Sequence, residues 1–193
     1  MTYIQRILPL KELLAKHTVL LLGPRQTGKS TFIHEQLASS ISLSFNLLDQ
    51  GLLLRLLADP TLIRKEIEQR KLQNVIVFID EIQKCPALLD EVQLMMTEKG
   101  IRFLLTGSSA RKLRRSGVNL LGGRARDRHF HPLVWSELKP HDFNLARALN
   151  HGLIPAHYLT DDVDESLASY VGRYLTEEIG NEGTVRRLPA FSR

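Results

Sequence analysis

Eight consecutive residues, Gly23-Pro24-Arg25-Gln26-Thr27-Gly28-Lys29-Ser30, fit the pattern G-x-x-x-x-G-K-[ST] without a mismatch and constrain the chain more than any other stretch. A loop of this kind needs a strand before it and a helix after it. Thr18-Val19-Leu20-Leu21-Leu22 reads as a buried strand, and Thr31 to Ala38 as a helix with Phe32, Ile33, Gln36 and Leu37 at helical spacing. Gly23 and Gly28 are expected to take backbone angles that a side chain would forbid, so that N–H groups curl into a nest for phosphate oxygens at a helix N-terminus. Lys29 adds a mobile positive charge for the β- and γ-phosphates, and the Ser30 hydroxyl is suited to ligate Mg²⁺. The expected nucleotide contacts run from Gly23 through Pro24, Arg25, Gln26, Thr27 and Gly28 to Lys29, Ser30 and Thr31, and the expected ligand is ATP with Mg²⁺. The plainer alternative is a glycine turn that binds nothing.

Downstream, strands and helices alternate. Ser42 to Leu48 reads as a strand, and Asp49 caps a leucine-rich helix through Ala58. Asp59-Pro60 repeats the start signal for a helix carrying Leu62, Ile63 and Ile67. Val75-Ile76-Val77-Phe78-Ile79 is a continuous apolar run, as expected of a strand covered on both faces. Pro86 opens a helix with Leu88, Leu89, Val92, Met95 and Met96 inward, closed by Gly100. Ile101 to Thr106 and Arg126 to His131 complete the strands, and Tyr3 to Lys16 carries a helical stripe broken by Pro9. The pattern implies an α/β fold with a mostly parallel three-layer sheet, whose ligand site lies at the carboxyl ends of the strands. Gly23, Asp80 and Thr106 all fall at such ends.

That edge brings further candidates. Asp80 is where a carboxylate would hold the Mg²⁺ hydration shell, and Glu81 after it is suited to polarise a water for attack on the γ-phosphate. An acid pair leaving a strand is also a common solvated turn. Thr106, Ser108 and Ser109 are polar groups at a strand end, and Thr106 is the preferred sensor of the γ-phosphate; hydroxyls in a Gly-Ser turn are also frequent caps. Arg124, Arg126 and Arg128 follow Gly122-Gly123; Arg124 is the choice for meeting transition-state charge, from its own chain or a neighbour, while alternate arginines on an edge strand also simply face water.

The 193 residues suffice for one good-sized domain and the start of a second. The single cysteine, Cys85, excludes an intramolecular disulfide. Charged residues interrupt the N-terminal leucines and no apolar run approaches membrane-spanning length, so a cytoplasmic protein without a membrane partner is expected. Between Ile101 and His131 stand eight Lys or Arg and one acid, a local +7 in a chain of net charge +5. Arg111, Lys112, Arg114 and Arg115 offer phosphate backbones a surface, although charge runs commonly solvate a face and no aromatics are interleaved for base stacking. His129 and His131 share a face if their segment is a strand, but no Cys or acid at ligand spacing completes a metal site. Asp164 to Ile179 reads as an amphipathic helix with Leu167, Tyr170, Val171, Tyr174 and Leu175 on one face, which is expected to fold back on the core or to mediate self-association.

Gly-Pro-Arg-Gln-Thr-Gly-Lys-Ser, Val-Ile-Val-Phe-Ile-Asp-Glu-Ile-Gln-Lys, Phe-Leu-Leu-Thr-Gly-Ser-Ser-Ala-Arg, and Gly-Gly-Arg followed by His-Pro-Leu-Val-Trp-Ser-Glu-Leu occur in that order. Over nearly its whole length the chain thereby resembles the prokaryotic predicted ATPases of the AAA+ type, which carry an AAA domain followed by a C-terminal domain of unknown function. The resemblance implies a P-loop NTPase fold with a five-stranded sheet in the order 5-1-4-3-2. It further implies that Lys29 and Ser30, Asp80, Glu81, Thr106 and Arg124 are the phosphate, metal, water, sensor and arginine positions. The family continues well past a segment like Tyr170 to Ile179, so residues 1–140 are expected to form the ATPase core and residues 141–193 the start of a truncated C-terminal region. The expected function is MgATP binding with hydrolysis that drives a conformational change. A nucleotide-gated switch with negligible turnover is the alternative, and a phosphotransferase comes third.

Overall fold

The computed structural model describes residues 3–108 and 121–173. In chain order the elements of the first part are α1 (Leu10–Lys16), β1 (Thr18–Leu22), α2 (Lys29–Leu37), β2 (Ile41–Asn46), α3 (Gln50–Ala58), α4 (Leu62–Gln69), β3 (Ile76–Asp80), α5 (Leu88–Lys99), β4 (Arg102–Gly107) and β5 (Ala125–His129). The five strands form one sheet in the order β2-β3-β4-β1-β5, with every pairing parallel. Read from the other edge this is the order 5-1-4-3-2, with the strand of Thr106 between those of Gly23 and Asp80.

Successive strand side chains point to opposite faces, so a strand buried throughout must be covered twice. All five residues of β1 are buried. Leu20 and Leu22 join Val77, Ile79, Phe103 and Leu105 under α3, α4 and α5, where Leu53, Leu56, Ile63, Ile67, Leu88, Val92 and Met95 complete the larger core. Val19 and Leu21 join Leu104 on the other face beneath Leu10 and Leu14 of α1 and Phe32, Ile33 and Leu37 of α2. Phe130, just past β5, stacks on Phe32 at 4.8 Å between ring centroids. The result is a three-layer α/β sandwich. β2 lies at an edge, and its alternating burial puts Phe45 in the core while Ser42 and Ser44 stay exposed.

Two local expectations shift. The stripe beginning at Tyr3 becomes a helix only from Leu10, because Pro9 lacks an N–H and biases the residue before it towards extended backbone. Asp59 does not cap its helix directly. Its Oδ1 accepts from the Thr61 backbone N–H at 3.0 Å, closing a turn, and α4 begins at Leu62.

The described residues divide into two compact units, Ile7–His131 and a second that combines the segment ending at Arg6 with the segment starting at Pro132. The second unit contains α6 (Trp135–Leu138), α7 (Leu145–His151), α8 (Pro155–Tyr158) and α9 (Asp164–Arg173) around a small core of Ile4, Leu133, Leu138 and Tyr158. Arg6 ties its two segments together: Nη2 donates to the Pro132 carbonyl at 3.2 Å, and Nε lies 3.0 Å from Glu137 Oε1 in a buried ion pair. On α9, Leu167 and Tyr170 are half-buried and the Tyr170 ring meets His157 edge-on at 5.2 Å, while Val171 remains half exposed. Tyr174 and Leu175, the rest of the expected stripe, lie outside the described residues, as do Ser109, Arg111, Lys112, Arg114 and Arg115.

Candidate nucleotide site

β1 ends at Leu22 and α2 begins at Lys29, so the glycine-bounded loop joins a central strand to a helix N-terminus. Gly28 takes φ 85° and ψ 23°, the left-handed conformation that launches α2 and that a side chain resists. Gly23 is required for a different reason. Its Cα lies against the backbone of Phe130, and an added Cβ would stand 2.1 Å from the Phe130 carbonyl oxygen. The expectation that both glycines serve unusual backbone angles thus holds at Gly28, whereas at Gly23 close approach replaces it.

Lys29 folds back over the loop. It is only 8% exposed, and its Nζ donates to the carbonyls of Gly23 at 2.7 Å and Pro24 at 2.8 Å. Thr27 is buried, with its hydroxyl donating to the Pro24 carbonyl at 2.9 Å. Pro24, Arg25 and Gln26 are exposed, as are Ser30 and Thr31 in the first turn of α2. Gln26 has φ 62°, a left-handed angle uncommon outside glycine. The loop therefore encloses one ammonium and presents backbone and hydroxyl groups around it, a donor set suited to an oxyanion.

Across the same edge of the sheet, the Gly23 N–H donates to the Gly107 carbonyl at 3.1 Å, joining the loop to the end of β4. The preceding residue, Thr106, is fully buried, and its hydroxyl donates to Asp80 Oδ1 and accepts from the Glu81 backbone N–H at 3.3 Å. Asp80 closes β3, and Glu81 follows with φ 58° before a single 3₁₀ turn, Ile82–Lys84. Left-handed backbone at a residue of this size costs about 1–3 kcal/mol, and Gln26 of the loop shares it, as do Lys71, Asn74, Leu121 and Asp142 away from this edge. Lys29, Asp80, Glu81 and Thr106 thus gather at the carboxyl ends of β1, β3 and β4. A loop that carries a buried lysine, beside the two half-buried carboxylates of Asp80 and Glu81 and the nearby hydroxyls, is an oxygen-rich set that fits a phosphate carrying a hard divalent cation, which keeps several waters and needs few protein ligands.

Arg124 is not part of this gathering. β5 runs parallel to β1 with Ala125 beside Thr18 and His129 beside Leu22, so Arg124 stands at the amino end of the sheet. Six residues of strand separate that level from Gly23, about 20 Å at roughly 3.3 Å per residue. Arg126 is exposed and Arg128 half-buried on the same strand. His129 and His131 face each other with ring centroids 6.2 Å apart. Cys85 lies 1% exposed against the Leu56 carbonyl, and burial pushes its thiol pKa up, which makes it an inert core residue.

Two residues that the sequence reading left out of the site belong to its construction. Phe130 supplies the carbonyl that excludes a side chain at position 23. Gln83 donates through Nε2 to the Glu81 carboxylate and to Ser108 Oγ, the latter at 3.1 Å. Neither carries a periodicity or charge signal; both are brought in by tertiary pairing of strand ends.

None of the curated proteins searched matches the chain. Among family models, that of an AAA domain matches residues 15–139, a span that includes the loop, Asp80, Glu81, Thr106 and all five strands. A match over more than half of the 193 residues, on a parallel sheet of this order with a nucleotide loop at its carboxyl edge, assigns the chain to the AAA domain family.

Proposed function

We propose that the chain binds MgATP on the loop from Gly23 to Thr31 and hydrolyses it to drive a conformational change. The observation that carries this reading is the link through Thr106, whose one hydroxyl meets both Asp80 and the Glu81 backbone on the strand next to the loop. In this reading Lys29 leaves the Gly23 and Pro24 carbonyls for the β- and γ-phosphate oxygens, while N–H groups from Gly23 to Thr31 line the phosphates. Ser30 and Asp80 hold Mg²⁺, which when bound neutralises phosphate charge. Glu81 orients the attacking water, and Thr106 registers the γ-phosphate.

Phosphate release and calorimetry on two variants test the assignment. Lys29→Ala is expected to lose most MgATP affinity with an unchanged far-UV spectrum; retained affinity removes the loop assignment. Glu81→Gln is expected to bind MgATP and lose turnover, and hydrolysis at the wild-type rate removes the water-orienting role.

The level of Arg124 favours a second reading. From the amino end of β5 it serves only a loop on another copy of the chain, so an isolated chain lacks that help and acts as a nucleotide-gated switch with little turnover. Self-association that raises turnover separates the two, read as specific activity rising with protein concentration. The kinship to prokaryotic ATPases with a C-terminal domain of unknown function, the division into a core of residues 1–140 and a C-terminal region, and a cytoplasmic setting belong to the same proposal. Association of the basic cluster with nucleic acid would be electrostatic and would weaken steeply with salt. Among the described residues no helix is long and apolar enough to cross a membrane.

A further inference from the structure

We propose that Gln83 is a positioning residue that holds the Glu81 carboxylate against the end of β4, so that the orientation of the attacking water depends on Ser108 and, through Gly107, on the phosphate loop. The inference rests on the reading that Glu81 orients that water. Gln83 occupies the middle of the 3₁₀ turn after Glu81, and the turn is fixed on both sides by core residues, Ile82 at 0% and Cys85 at 1% exposure. Two backbone bonds close it, Lys84 N–H to the Glu81 carbonyl at 2.9 Å and Cys85 N–H to the Ile82 carbonyl at 3.1 Å. The side chain therefore starts from a rigid base and crosses from the end of β3 to the end of β4.

Its amide has one workable orientation. A carboxylate only accepts, so Nε2 must face Glu81, and the second hydrogen on Nε2 goes to Ser108 Oγ at 3.1 Å. Both donors are then used. Oε1 is turned onto the Cα of Gly107, where an added Cβ would lie 2.6 Å from it, and it is buried without a hydrogen-bond partner among the described residues. A buried carbonyl without a donor is a feature that folded proteins rarely keep. Here it accompanies the double donation that fixes Glu81, and the glycine at 107 supplies the space. Gly107 in turn accepts from the Gly23 N–H at 3.1 Å, which completes a path from Glu81 through Gln83 to the phosphate loop. Among the described residues Gln83 is the one side chain that donates to the Glu81 carboxylate.

The test is single-turnover and steady-state hydrolysis of MgATP by the full chain, comparing Gln83→Met in the wild-type and Glu81→Gln backgrounds. Methionine keeps the length and removes both donors. The expected result is a fall in kcat of about 10- to 100-fold with KM for ATP unchanged within about twofold, the scale on which a misplaced catalytic group costs rate. In the Glu81→Gln background Gln83→Met should cost nothing further, because it acts only through that carboxylate. The proposal is overturned if Glu81→Gln is inactive while Gln83→Met keeps the wild-type kcat, or if Gln83→Met lowers both backgrounds by the same factor, as a general structural defect would. Wild-type turnover by Glu81→Gln, or no hydrolysis by the unaltered chain, instead removes the underlying reading and the proposal with it. Ser108→Ala releases the other end of the same bridge without touching the turn. It should show a smaller loss in kcat at constant KM, and it decides the matter if Gln83→Met does not fold.

Discussion

An alanine at position 23 would place its Cβ 2.1 Å from the Phe130 carbonyl oxygen, a contact that only backbone movement can relieve. At position 28 the obstacle is conformational instead, since φ 85° costs an L-residue roughly 1–2 kcal/mol. Gly23→Ala must separate the β1 and β5 ends, where the Phe130 N–H donates to the Leu22 carbonyl at 2.6 Å, and overpacking of this kind costs about 1–3 kcal/mol. Urea titration is expected to show both variants destabilised. Only Gly23→Ala should also lose amide-exchange protection at Phe130, and full protection there would show that the strand ends absorb the extra carbon. Both glycines were legible as a phosphate-loop pair, but the steric reason at Gly23 was not. It depends on a residue far along the chain whose arrival beside β1 is a consequence of sheet order.

Among the elements, α3 shows the most direct path from sequence to structure. Asp49 has extended backbone angles, and its Oδ1 accepts the Leu52 N–H at 3.1 Å, satisfying one of the donors that every helix start leaves over. Asp49→Ala should therefore lower stability by about 1 kcal/mol, measured by urea titration, whereas Asp49→Asn should cost less because it retains the acceptor. An unchanged midpoint in the alanine variant would mean that water replaces the cap. β1 and β3 were similarly legible, because a strand covered on both faces is apolar at every position and turn residues bound it. The ends of elements were less so. Pro60 marks the start of a turn rather than of α4, and the helical stripe from Tyr3 is cut back to a helix starting at Leu10 because Pro9 interrupts it. The Arg124 assignment shows the same limit for a site. Its Gly-Gly-Arg setting is visible in sequence, yet whether it lies at the carboxyl or the amino end of the sheet depends on where β5 begins and on its parallel register with β1.

At the scale of the whole chain, each unit carries one single-copy probe: Cys85 in Ile7–His131, and Trp135, the one tryptophan, in the other. The second unit also contains a buried imidazole. His157 is 1% exposed; its Nδ1 meets Ser166 Oγ at 2.8 Å, its ring packs on Tyr170, and its Nε2 has no partner among the described residues. His151 is also close, its Nδ1 3.2 Å from the His157 carbonyl oxygen, and among the described residues no acid pairs with the His157 ring to favour the imidazolium. Burial accordingly pushes the His157 pKa below the ordinary 6.5. Between the folded and unfolded values the unfolded chain binds more protons, so stability rises with pH in that window. The contribution is fully present above about pH 6.5 and is lost as the pH falls from there towards the folded value. The urea midpoint followed by Trp135 emission is therefore expected to be lower at about pH 5.5 than at about pH 7.5. His157→Phe, which keeps a ring against Tyr170 but cannot titrate, should remove most of that difference. Cys85 thiol reactivity, measured in the same titrations, shows whether the acid acts on the unit of residues 7–131 as well. A Trp135 midpoint that is the same at both pH values would mean that the folded unit accommodates the imidazolium, and a shift that persists in His157→Phe would assign the acid sensitivity to another group.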